Sequence, residues 1–411
     1  MDTIKEKLMK SILTLNDVQA AKERIKDICI HTNLIHSSVL SHCYGNDIYI
    51  KPENLQTTGS FKLRGALNKI SKLTDEQKSK GLVAASAGNH AQGVAYSAQK
   101  LGIKATIVMP KTTPLIKVES TKQYGAEVVL TGTCYDDAYE EAKRLENEHG
   151  YTFIHPFNDA DIMAGQGTIA LEILEDLKDT NVILVPIGGG GLISGVSVAA
   201  KSINPNIKII GVESEGAKAM RLSLDNNKLT NLDVVDTIAD GGAVKNPGDL
   251  AFEVVRQYVD DIITITDEEV IDSIFTLVER HKIVAEATGA LSIAALKKLD
   301  FKGKKVVPII SGGNIDIITL TSALNYGLIS RKRIADLSLE LKNSPGQISK
   351  ISSIISEEGA NIVEINHNHT KVMEHFKKVV VTITIETNGQ DHIDHITRSL
   401  ESKGYNVISN S

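Results

Sequence analysis

Short runs of apolar and β-branched residues alternate with helix-periodic segments from about residue 47 to residue 320. The runs that read as buried strands are DIYIK, GLVAAS, KATIVMP, AEVVLTG, YTFIH, NVILVPIGG, KIIGVES and KKVVPIIS. The helical segments between them include residues 63–73, 90–102 and 164–177. Strands that alternate with helices are typical of parallel sheets covered by helices on both faces, and so many strands predict two α/β lobes.

The pattern changes near residue 330, where the basic segment GLISRKRIADL interrupts the alternation. The segments that follow read as strand, helix, strand, strand, helix and strand: ADLSLELK, QISKISSIISEEG, NIVEINHNH, KKVVVTITIETN, HIDHITRSLESKG and YNVIS. This order predicts a βαββαβ unit. We therefore expect an α/β domain over residues 1–330 and a smaller domain over residues 331–411.

Composition narrows the class of function. Of the 411 residues, 42% are hydrophobic and 23% are charged, which is the balance of a folded globular protein. The formal net charge is −6, aromatic residues make up 4%, and tryptophan is absent. A chain with no net positive charge and few stacking side chains is not expected to bind nucleic acid or an anionic membrane.

The cysteines and the N-terminal segment predict a cytoplasmic protein. Cys29, Cys43 and Cys134 are an odd number without CxxC spacing, as expected of ordinary thiols in a reducing compartment. The N-terminal segment lacks the uninterrupted apolar stretch of a secretory signal. No apolar run approaches the ~20 residues that a membrane span needs.

One lysine is a candidate for covalent chemistry. Lys62 lies in the segment GSFKLRGA, immediately before a helical run. The positive end of a helix dipole lowers the pKa of an amine, and a neutral amine can attack an aldehyde to form a Schiff base. Because a solvated surface lysine is the alternative for any single lysine, the prediction depends on the motifs that follow.

Four consecutive glycines, residues 188–191, connect the strand NVILVPI to a predicted helix. At such a turn backbone N–H groups surround an anion at the helix N-terminus, which predicts phosphate binding without a basic side chain. A dinucleotide site is the alternative, because Glu213 follows at about the distance of the acidic residue that binds a ribose. A tight turn without a ligand is the third interpretation.

Two further loops follow predicted strands. Residues 86–90 (SAGNH) come after GLVAA, residues 311–314 (SGGN) come after VVPII, and both are predicted to open helices. Backbone donors with a small hydroxyl or amide lie here where α/β folds bind ligands, although a single Ser or Asn is more often a helix cap. With Lys62 and the glycines, they predict a site for an aldehyde that carries a phosphate, with no metal ion.

In chain order, the motifs SFKLRGA, SAGNHAQG, AGQGTIALEI, GGGGL and SGGN resemble those of the fold type II pyridoxal-phosphate (PLP) enzymes. The resemblance is closest to the threonine/serine dehydratase branch and covers about three quarters of the chain. It implies two parallel-sheet lobes of the tryptophan synthase β-like fold. The small lobe, about residues 50–150, is expected as an insertion in the large lobe.

The resemblance also implies a role for each motif. Lys62 is expected to carry the cofactor as a Schiff base and, once freed, to take the α-proton of the substrate. Asn89 is expected to bond the phenolic oxygen of the cofactor, and Ser311 to meet its pyridine nitrogen. The implied cofactor site comprises Phe61, Lys62, Asn89, Gly188, Gly189, Gly190, Gly191, Leu192 and Ser311. The implied substrate site comprises Ser86, Ala87, Gly88, Asn89 and His90.

These roles predict a dehydratase. A serine hydroxyl does not hold the pyridine nitrogen protonated, so the ring withdraws electrons weakly, which suits β-elimination. The expected reaction converts L-threonine to 2-oxobutanoate and ammonia, with L-serine to pyruvate as a secondary activity. The alternatives are a serine dehydratase, racemase or β-replacement synthase of the same fold, or, in another class, a non-catalytic amino-acid sensor that binds a nucleotide.

Two positions depart from the relatives that these motifs resemble. Serine racemases carry a serine hydroxyl where this chain has Ala87, so weak racemisation is expected. The segment ESEGAKA resembles a metal loop, in which Glu213 and the Ala217 carbonyl would be ligands, but Ala219 stands where an acidic ligand is expected. We therefore expect no divalent metal site there, and a monovalent cation is left open.

The C-terminal βαββαβ pattern, with NSPGQ and EGANI at its turns, resembles the ACT domains, which bind amino acids at paired interfaces. The implied effector site, for a branched-chain amino acid, comprises Gly346, Gln347, Asn361 and Ile362. The pairing implies a homodimer or homotetramer, and a dimerisation module without an effector is the alternative. His367, His369 and His375 lack a carboxylate or cysteine to complete a metal site, so we interpret them as exposed.

Overall fold

Mostly parallel strands form the first of two units into which the chain divides, Met1–Asp316, and an antiparallel sheet forms the second, Ile317–Ser411. The computed structural model describes residues 12–368 and 378–410. The mixed α/β class with a separate C-terminal sheet, predicted from the sequence, is confirmed.

The first unit contains ten strands and thirteen α-helices among its described residues. The strands are β1 (Ile35–His36), β2 (Asp47–Pro52), β3 (Leu82–Ala85), β4 (Ala105–Pro110), β5 (Glu127–Thr131), β6 (Thr152–Phe153), β7 (Val182–Pro186), β8 (Lys208–Ser214), β9 (Asp261–Ile265) and β10 (Lys305–Ile310). The helices are α1 (Leu15–Ile25), α2 (Ser38–Tyr44), α3 (Lys62–Ser71), α4 (Asp75–Lys80), α5 (Asn89–Leu101), α6 (Leu115–Gln123), α7 (Tyr135–His149), α8 (Ala160–Asp176), α9 (Gly191–Ile203), α10 (Ala219–Asp225), α11 (Asp249–Tyr258), α12 (Asp267–Thr276) and α13 (Ala287–Ala294). Every strand that the apolar runs predicted is present, and β1 and β9 are additional.

The strands of the first unit form two sheets. The larger sheet has the order β1-β2-β10-β7-β8-β9, in which β1 runs antiparallel to β2 and the other neighbours are parallel. The smaller sheet has the order β5-β4-β3-β6 and is parallel throughout. Because β3–β6 lie in the chain between β2 and β7, the smaller lobe is an insertion in the larger one.

Three neighbouring strands of the large sheet end at one edge. β10 pairs in parallel with β2 on one side and with β7 on the other. The loops that follow these strands therefore meet: the segment that leads to Lys62 follows β2, residues 311–314 follow β10, and residues 188–191 follow β7. This edge is where parallel sheets bind ligands.

Glycines let the helices behind this edge pack closely. A side-chain carbon at Gly165 of α8 would lie 2.5 Å from the Arg64 carbonyl oxygen of α3. A carbon at Gly195 of α9 would lie 2.1 Å from the Met163 carbonyl oxygen of α8. The glycines of the AGQG segment therefore serve helix packing, which fixes α3, and with it Lys62, against the core.

A buried ionic cluster joins α3 to the large sheet. The Arg64 guanidinium donates to both carboxylate oxygens of Glu53, at 2.7 and 2.8 Å, and to both of Glu172, at 2.6 and 2.9 Å. Lys51 Nζ donates to Glu172 Oε2 and to the Thr32 carbonyl oxygen, both at 2.6 Å. The two positive and two negative side chains are each 5% exposed or less, so they compensate one another away from water.

Arg64→Met is expected to destabilise the protein strongly, because it leaves two buried carboxylates with a single lysine partner. Breaking a buried ion pair on one side costs about 3–5 kcal/mol. The denaturant midpoint of unfolding, followed by circular dichroism, measures the loss. Arg144→Met is the control, because Arg144 pairs with Glu141 and Glu148 on the surface and should matter little. Equal effects of the two substitutions would contradict this role for the cluster.

The second unit is built on one antiparallel sheet. Its strands are β11 (Ile334–Lys342), β12 (Asn361–Asn368), β13 (Lys378–Glu386) and β14 (Asn406–Asn410), in the order β12-β13-β11-β14. Its helices are α14 (Ile317–Ser330), α15 (Gln347–Glu357) and α16 (Gln390–Ser402). The order β11-α15-β12-β13-α16-β14 confirms the predicted βαββαβ pattern. Alternate residues of β11 and β13 are buried in its core.

Three details bear on the expectations from sequence. The second unit begins at Ile317, so α14 belongs to it, whereas the sequence pattern placed the boundary near residue 330. His367 is exposed on β12, and His369 and His375 lie outside the described residues. In the part of the chain that the structure describes, no helix is both long and apolar enough to cross a membrane.

Candidate active site

Lys62 is the first residue of α3, and its amine is held by the turn of residues 155–158, which follows β6. Lys62 Nζ donates to the Pro156 carbonyl oxygen at 2.8 Å and lies 5.2 Å from the centroid of the Phe61 ring. Burial lowers the pKa of the Lys62 amine to about 8, and the Glu286 charge opposes that effect. The amine is therefore closer to neutrality than an ordinary lysine. The main cause is desolvation, where the sequence argument had relied on the helix dipole.

The four glycines after β7 lie against the same turn. A side-chain carbon at Gly189 would lie 2.4 Å from the Phe157 ring, and one at Gly191 would lie 2.7 Å from the Phe157 carbonyl oxygen. Gly190 has a φ of +96°, which favours glycine. Pro156 thus contacts the Lys62 amine while its neighbour Phe157 covers the glycines, so the turn brings the two sequence motifs together.

The glycines end at the N-terminus of α9, whose first N–H groups have no carbonyl partner within the helix. Such groups, with the helix dipole behind them, bind a phosphate. Leu192 is 5% exposed and belongs to the large core, so its backbone N–H, rather than its side chain, is available to a ligand.

His155 shapes the turn that carries both contacts. His155 Nδ1 accepts hydrogen bonds from the N–H groups of Phe157, at 3.2 Å, and Asn158, at 2.9 Å. Burial lowers the pKa of His155 to about 4, and the nearby Lys62 charge lowers it further, so Nδ1 is free to accept at neutral pH. No motif in the sequence marks this turn, although residues 155–158 follow β6 as the other site loops follow their strands.

The loop before Lys62 is bonded to the loop after β10. Phe61 N–H donates to the Ser311 carbonyl oxygen at 3.0 Å, Gly313 N–H donates to the Gly59 carbonyl oxygen at 2.9 Å, and Ser60 pairs with Gly312 in a single β-bridge. These bonds place Ser311 next to Lys62. The prediction that residues 311–314 open a helix is wrong, because the backbone of residues 311–313 is used in this pairing and α14 begins only at Ile317.

Four buried hydroxyl groups at this edge find no hydrogen-bond partner among the described residues: Thr58 Oγ1, Ser60 Oγ, Thr288 Oγ1 and Ser311 Oγ. Each of the four residues is 7% exposed or less. An unpaired buried hydroxyl is costly, so these atoms fit a site completed by a polar ligand. With a near-neutral amine and a glycine cradle, they match the aldehyde, ring nitrogen and phosphate of PLP.

The SAGNH loop follows β3 and opens α5, as predicted. Gly88 N–H donates to Ser86 Oγ at 3.2 Å, and the first N–H groups of α5 point to the carboxyl edge of the small sheet. The Ala87 side chain packs against the small-lobe core. His90 is buried, with Nε2 2.8 Å from the Ile154 carbonyl oxygen, so its ring is engaged with the backbone.

Glu286 is a site residue that the sequence analysis missed. Its Oε1 accepts from Asn89 Nδ2 at 2.6 Å, and its N–H donates to the Gly312 carbonyl oxygen at 3.1 Å. Burial raises the pKa of Glu286 to about 7, against the lowering effect of the Asn89 hydrogen bond. Glu286 lies just before α13 in a segment without a recognisable motif, so only the long-range contact reveals it.

Glu213 is hydrogen-bonded to the backbone that opens α10. Its buried carboxylate accepts from the N–H groups of Met220, at 2.9 Å, and Arg221, at 2.8 Å, which open α10. Burial raises the pKa of Glu213 to about 7. Among residues 12–368 and 378–410, no group of three or more His, Cys, Asp and Glu side chains could hold a metal ion.

The second unit contains a cavity of about 420 Å³ at the start of α15. It is lined by the turn of residues 343–349, by His367 of β12 and by Val379 and Val381 of β13. Gly346 and Gln347, two of the four predicted effector residues, lie at this cavity. Asn361 and Ile362 lie at the other end of β12, about 20 Å of extended chain from His367, and do not line it.

Comparison with known proteins agrees with this geometry. Residues 25–312 match the family described as pyridoxal-phosphate dependent enzyme, and the chain belongs to this family. The chain is 48% identical over 397 residues to the L-threonine ammonia-lyase of Thermotoga maritima. The alignment covers 96% of this chain and 99% of that protein.

Two solved structures are similar to the first unit. The processed form of threonine deaminase isoform 2 from Solanum lycopersicum has a TM-score of 0.74 and 40% identity, and the match covers 76% of this chain and 92% of that chain. Maize serine racemase has a TM-score of 0.73 and 38% identity, over 78% of this chain and 99% of that chain. The predicted PLP cofactor and the family resemblance are thereby confirmed.

Capture of the cofactor by the apoprotein is expected to depend on pH with a midpoint near 8, because that is the pKa to which burial lowers Lys62. When PLP is added to the apoprotein, the rate at which visible absorbance appears should follow the neutral fraction of the amine. Below the midpoint this rate should rise about tenfold per pH unit, and above the midpoint it should level off. Stopped-flow absorbance from pH 6 to pH 10.5 measures the profile. A rate that still climbs tenfold per unit at pH 10 would contradict a buried Lys62.

Proposed function

We propose that the protein is an L-threonine ammonia-lyase, which converts L-threonine to 2-oxobutanoate and ammonia. The observation that carries the proposal is the turn of residues 155–158, where Pro156 receives the near-neutral Lys62 amine and Phe157 covers the glycines. A site of this kind holds an aldehyde and a phosphate of one small molecule. The 48% identity to a threonine ammonia-lyase along 96% of this chain supports threonine as the substrate.

Four groups of this chain would hold the cofactor. The N–H groups of Gly188–Leu192 would bind the phosphate, and Lys62 would hold the aldehyde carbon. Asn89 would donate to the phenolic oxygen, and the unpaired Ser311 hydroxyl would face the ring nitrogen. Phe61 lies beside the Lys62 amine and would flank the ring. When bound, PLP withdraws electrons from the α-carbon of an amino acid, so that its α-proton can be removed.

The remaining steps belong to protein side chains and backbone. The first N–H groups of α5 and the Ser86 hydroxyl would bind the substrate carboxylate, which places Cα beside Lys62. The Lys62 amine, whose pKa burial lowers to about 8, would then take the α-proton as a general base in its neutral form. Loss of the β-hydroxyl as water leads, after hydrolysis of the C–N bond, to 2-oxobutanoate and ammonia. L-serine, which lacks only the γ-methyl, would give pyruvate as a secondary activity.

Ala87 favours elimination over racemisation. Racemisation needs a proton donor on the face of Cα opposite to Lys62, and the methyl group of Ala87, which packs against the small-lobe core, has none. The structural likeness to maize serine racemase makes a racemase the second candidate. Production of D-serine from L-serine at a rate comparable to pyruvate formation would favour that candidate.

Lys62→Ala is expected to abolish the visible absorbance of the purified protein and to lower the rate of 2-oxobutanoate formation on the order of 10³-fold, because it removes both the attachment point and the base. Lys72→Ala is the control, since Lys72 directly follows α3 and pairs on the surface with Asp161. An unchanged band in Lys62→Ala would refute the assignment. A wild-type protein without a visible band, but with bound nucleotide, would favour the non-catalytic sensor.

For the second unit we propose a regulatory role, with a branched-chain amino acid bound in the cavity at residues 343–349. The N-terminus of α15 faces this cavity, and Gly346, with a φ of +87°, turns the chain into it. A free carboxylate suits that helix end, and Val379, Val381 and Leu341 suit an aliphatic side chain. Asn361 and Ile362 would join such a site from a second copy of the chain.

Gln347→Leu is expected to raise by about tenfold or more the concentration of isoleucine or valine that changes the rate, because Gln347 lines the cavity. Gln390→Leu is the matched control, since Gln390 opens the corresponding helix, α16, and donates to Asp394 on the surface. Initial rates with increasing effector give the two concentrations. No response of the wild type to any amino acid would favour a pure dimerisation module.

Assembly and location complete the proposal. The backbone edges of β12 and β14 are the ends of the four-stranded sheet, which supports pairing of second units in a homodimer or homotetramer. Cys29, Cys43 and Cys134 are free thiols, which supports the cytoplasm as the compartment.

A further inference from the structure

The carboxamide of Asn89 is held at both of its ends. Asn89 Nδ2 donates to Glu286 Oε1 at 2.6 Å, and Asn89 Oδ1 accepts from Asn314 Nδ2 at 2.7 Å. The two ends of an amide differ only in that one donates and the other accepts. A carboxylate at one end and an amide N–H at the other therefore permit a single orientation of the Asn89 side chain.

Both partners are themselves fixed by the loops of the site. Asn314 Nδ2 uses its second hydrogen on the Thr58 carbonyl oxygen, at 2.9 Å. A side-chain carbon at Gly59 would lie 2.3 Å from Asn314 Oδ1, so only glycine leaves room for this amide. Gly59 also has a φ of +71°. Asn314 is thereby fastened to the segment that leads to Lys62.

Glu286 is fastened to the loop after β10. Its N–H donates to the Gly312 carbonyl oxygen, and a side-chain carbon at Gly312 would lie 2.4 Å from Glu286 Oε1. The same carbon would lie 3.2 Å from Asn89 Nδ2, so the absence of a side chain at Gly312 makes room for the hydrogen bond between Asn89 and Glu286. Hydrogen bonds thus link Thr58, Asn314, Asn89, Glu286 and Gly312 in series.

The helix that Asn89 opens, α5, packs against the Lys62 backbone. Gly93, one helical turn after Asn89 on α5, approaches the Lys62 backbone so closely that a side-chain carbon would lie 3.1 Å from the Lys62 carbonyl carbon. Of the two hydrogens on Asn89 Nδ2, one goes to Glu286, and no other acceptor for this nitrogen is found in the described part of the chain. One N–H donor of Asn89 therefore remains, at the start of the helix that packs against the Lys62 backbone.

We propose that Glu286 and Asn314 are positioning residues that fix the Asn89 amide so that its second N–H is presented to the cofactor. The proposal rests on the function proposed above, because it needs PLP beside Lys62. It assigns the two residues an orienting role, not contact with the substrate. Asn89 itself would make the cofactor contact.

Substitutions at Glu286 separate the accepting atom from the rest of the side chain. Glu286→Gln keeps an Oε1 acceptor for Asn89, whereas Glu286→Leu removes it. We expect Glu286→Leu to weaken PLP binding about tenfold, the effect of one lost hydrogen bond, and to shift the visible band of the bound cofactor. Glu286→Gln should stay within about threefold of the wild type and keep its band.

Substitution at Asn314 tests the hydrogen bond at the other end of the Asn89 amide. Asn314→Asp puts an acceptor oxygen against Asn89 Oδ1, so the Asn89 amide should rotate by half a turn. We expect the same weakening of PLP binding and the same shift of the visible band as in Glu286→Leu. Asn54→Ala is the control, because Asn54 also packs on Gly313 and donates to the Val284 carbonyl oxygen but does not contact Asn89. It should leave the band and the PLP affinity unchanged.

The measurements are the dissociation constant for PLP and the absorbance spectrum of the reconstituted protein, with the melting temperature of each apoprotein alongside. If Asn314→Asp lowers the melting temperature, the two Glu286 variants decide. A wild-type dissociation constant and visible band in Glu286→Leu would overturn this positioning role. An equal loss of PLP affinity in Glu286→Gln and Glu286→Leu would overturn it as well. Failure of the wild type to bind PLP, or to act on threonine, would instead overturn the proposed function.

Discussion

The pairing between the loop that precedes Lys62 and the loop that follows β10 is the constraint on which the site depends. Two backbone hydrogen bonds make it, from Phe61 N–H to the Ser311 carbonyl oxygen and from Gly313 N–H to that of Gly59. The loops are distant in sequence and meet because β10 pairs in parallel with β2. The same strand pairs with β7, which brings the glycines of residues 188–191 to the same edge. One strand therefore brings the Lys62 amine, the Ser311 hydroxyl and the glycine turn to one edge of the sheet.

Burial has opposite consequences at two neighbouring residues of α3. Arg64 keeps its charge in the interior because two carboxylates and their lysine partner surround it. Lys62, two residues earlier, has a backbone carbonyl as its hydrogen-bond partner, so the same loss of water lowers its pKa to about 8. The paired charges fix the helix, and the unpaired amine at its end is left close to neutrality. Stability and reactivity thus come from one helix and differ only in whether each charge is compensated.

The sequence predicted the parts of the molecule that depend on local pattern. The strands of both lobes and the βαββαβ order follow from apolar runs and turns, and the glycines of residues 188–191 lie at a strand end, as the sequence predicted. The parts that were not predicted depend on contacts between distant segments. Glu286 has no motif around it, and only its hydrogen bond with Asn89 identifies it as a site residue. The SGGN loop was wrongly expected to open a helix, because its pairing with residues 59–61 could not be read from either segment alone.

The fold alone does not distinguish elimination from racemisation, so the side chains of the site must. A deaminase and a racemase both share the fold of the first unit at nearly the same TM-score, so the arrangement of strands does not choose between elimination and racemisation. In the proposed reaction both outcomes begin with removal of the α-proton by the Lys62 amine. Only racemisation must then return a proton from the opposite face, and Ala87, which we propose for that face, carries a methyl group in place of a hydroxyl. The proposed placement of Ala87 therefore favours loss of the β-hydroxyl.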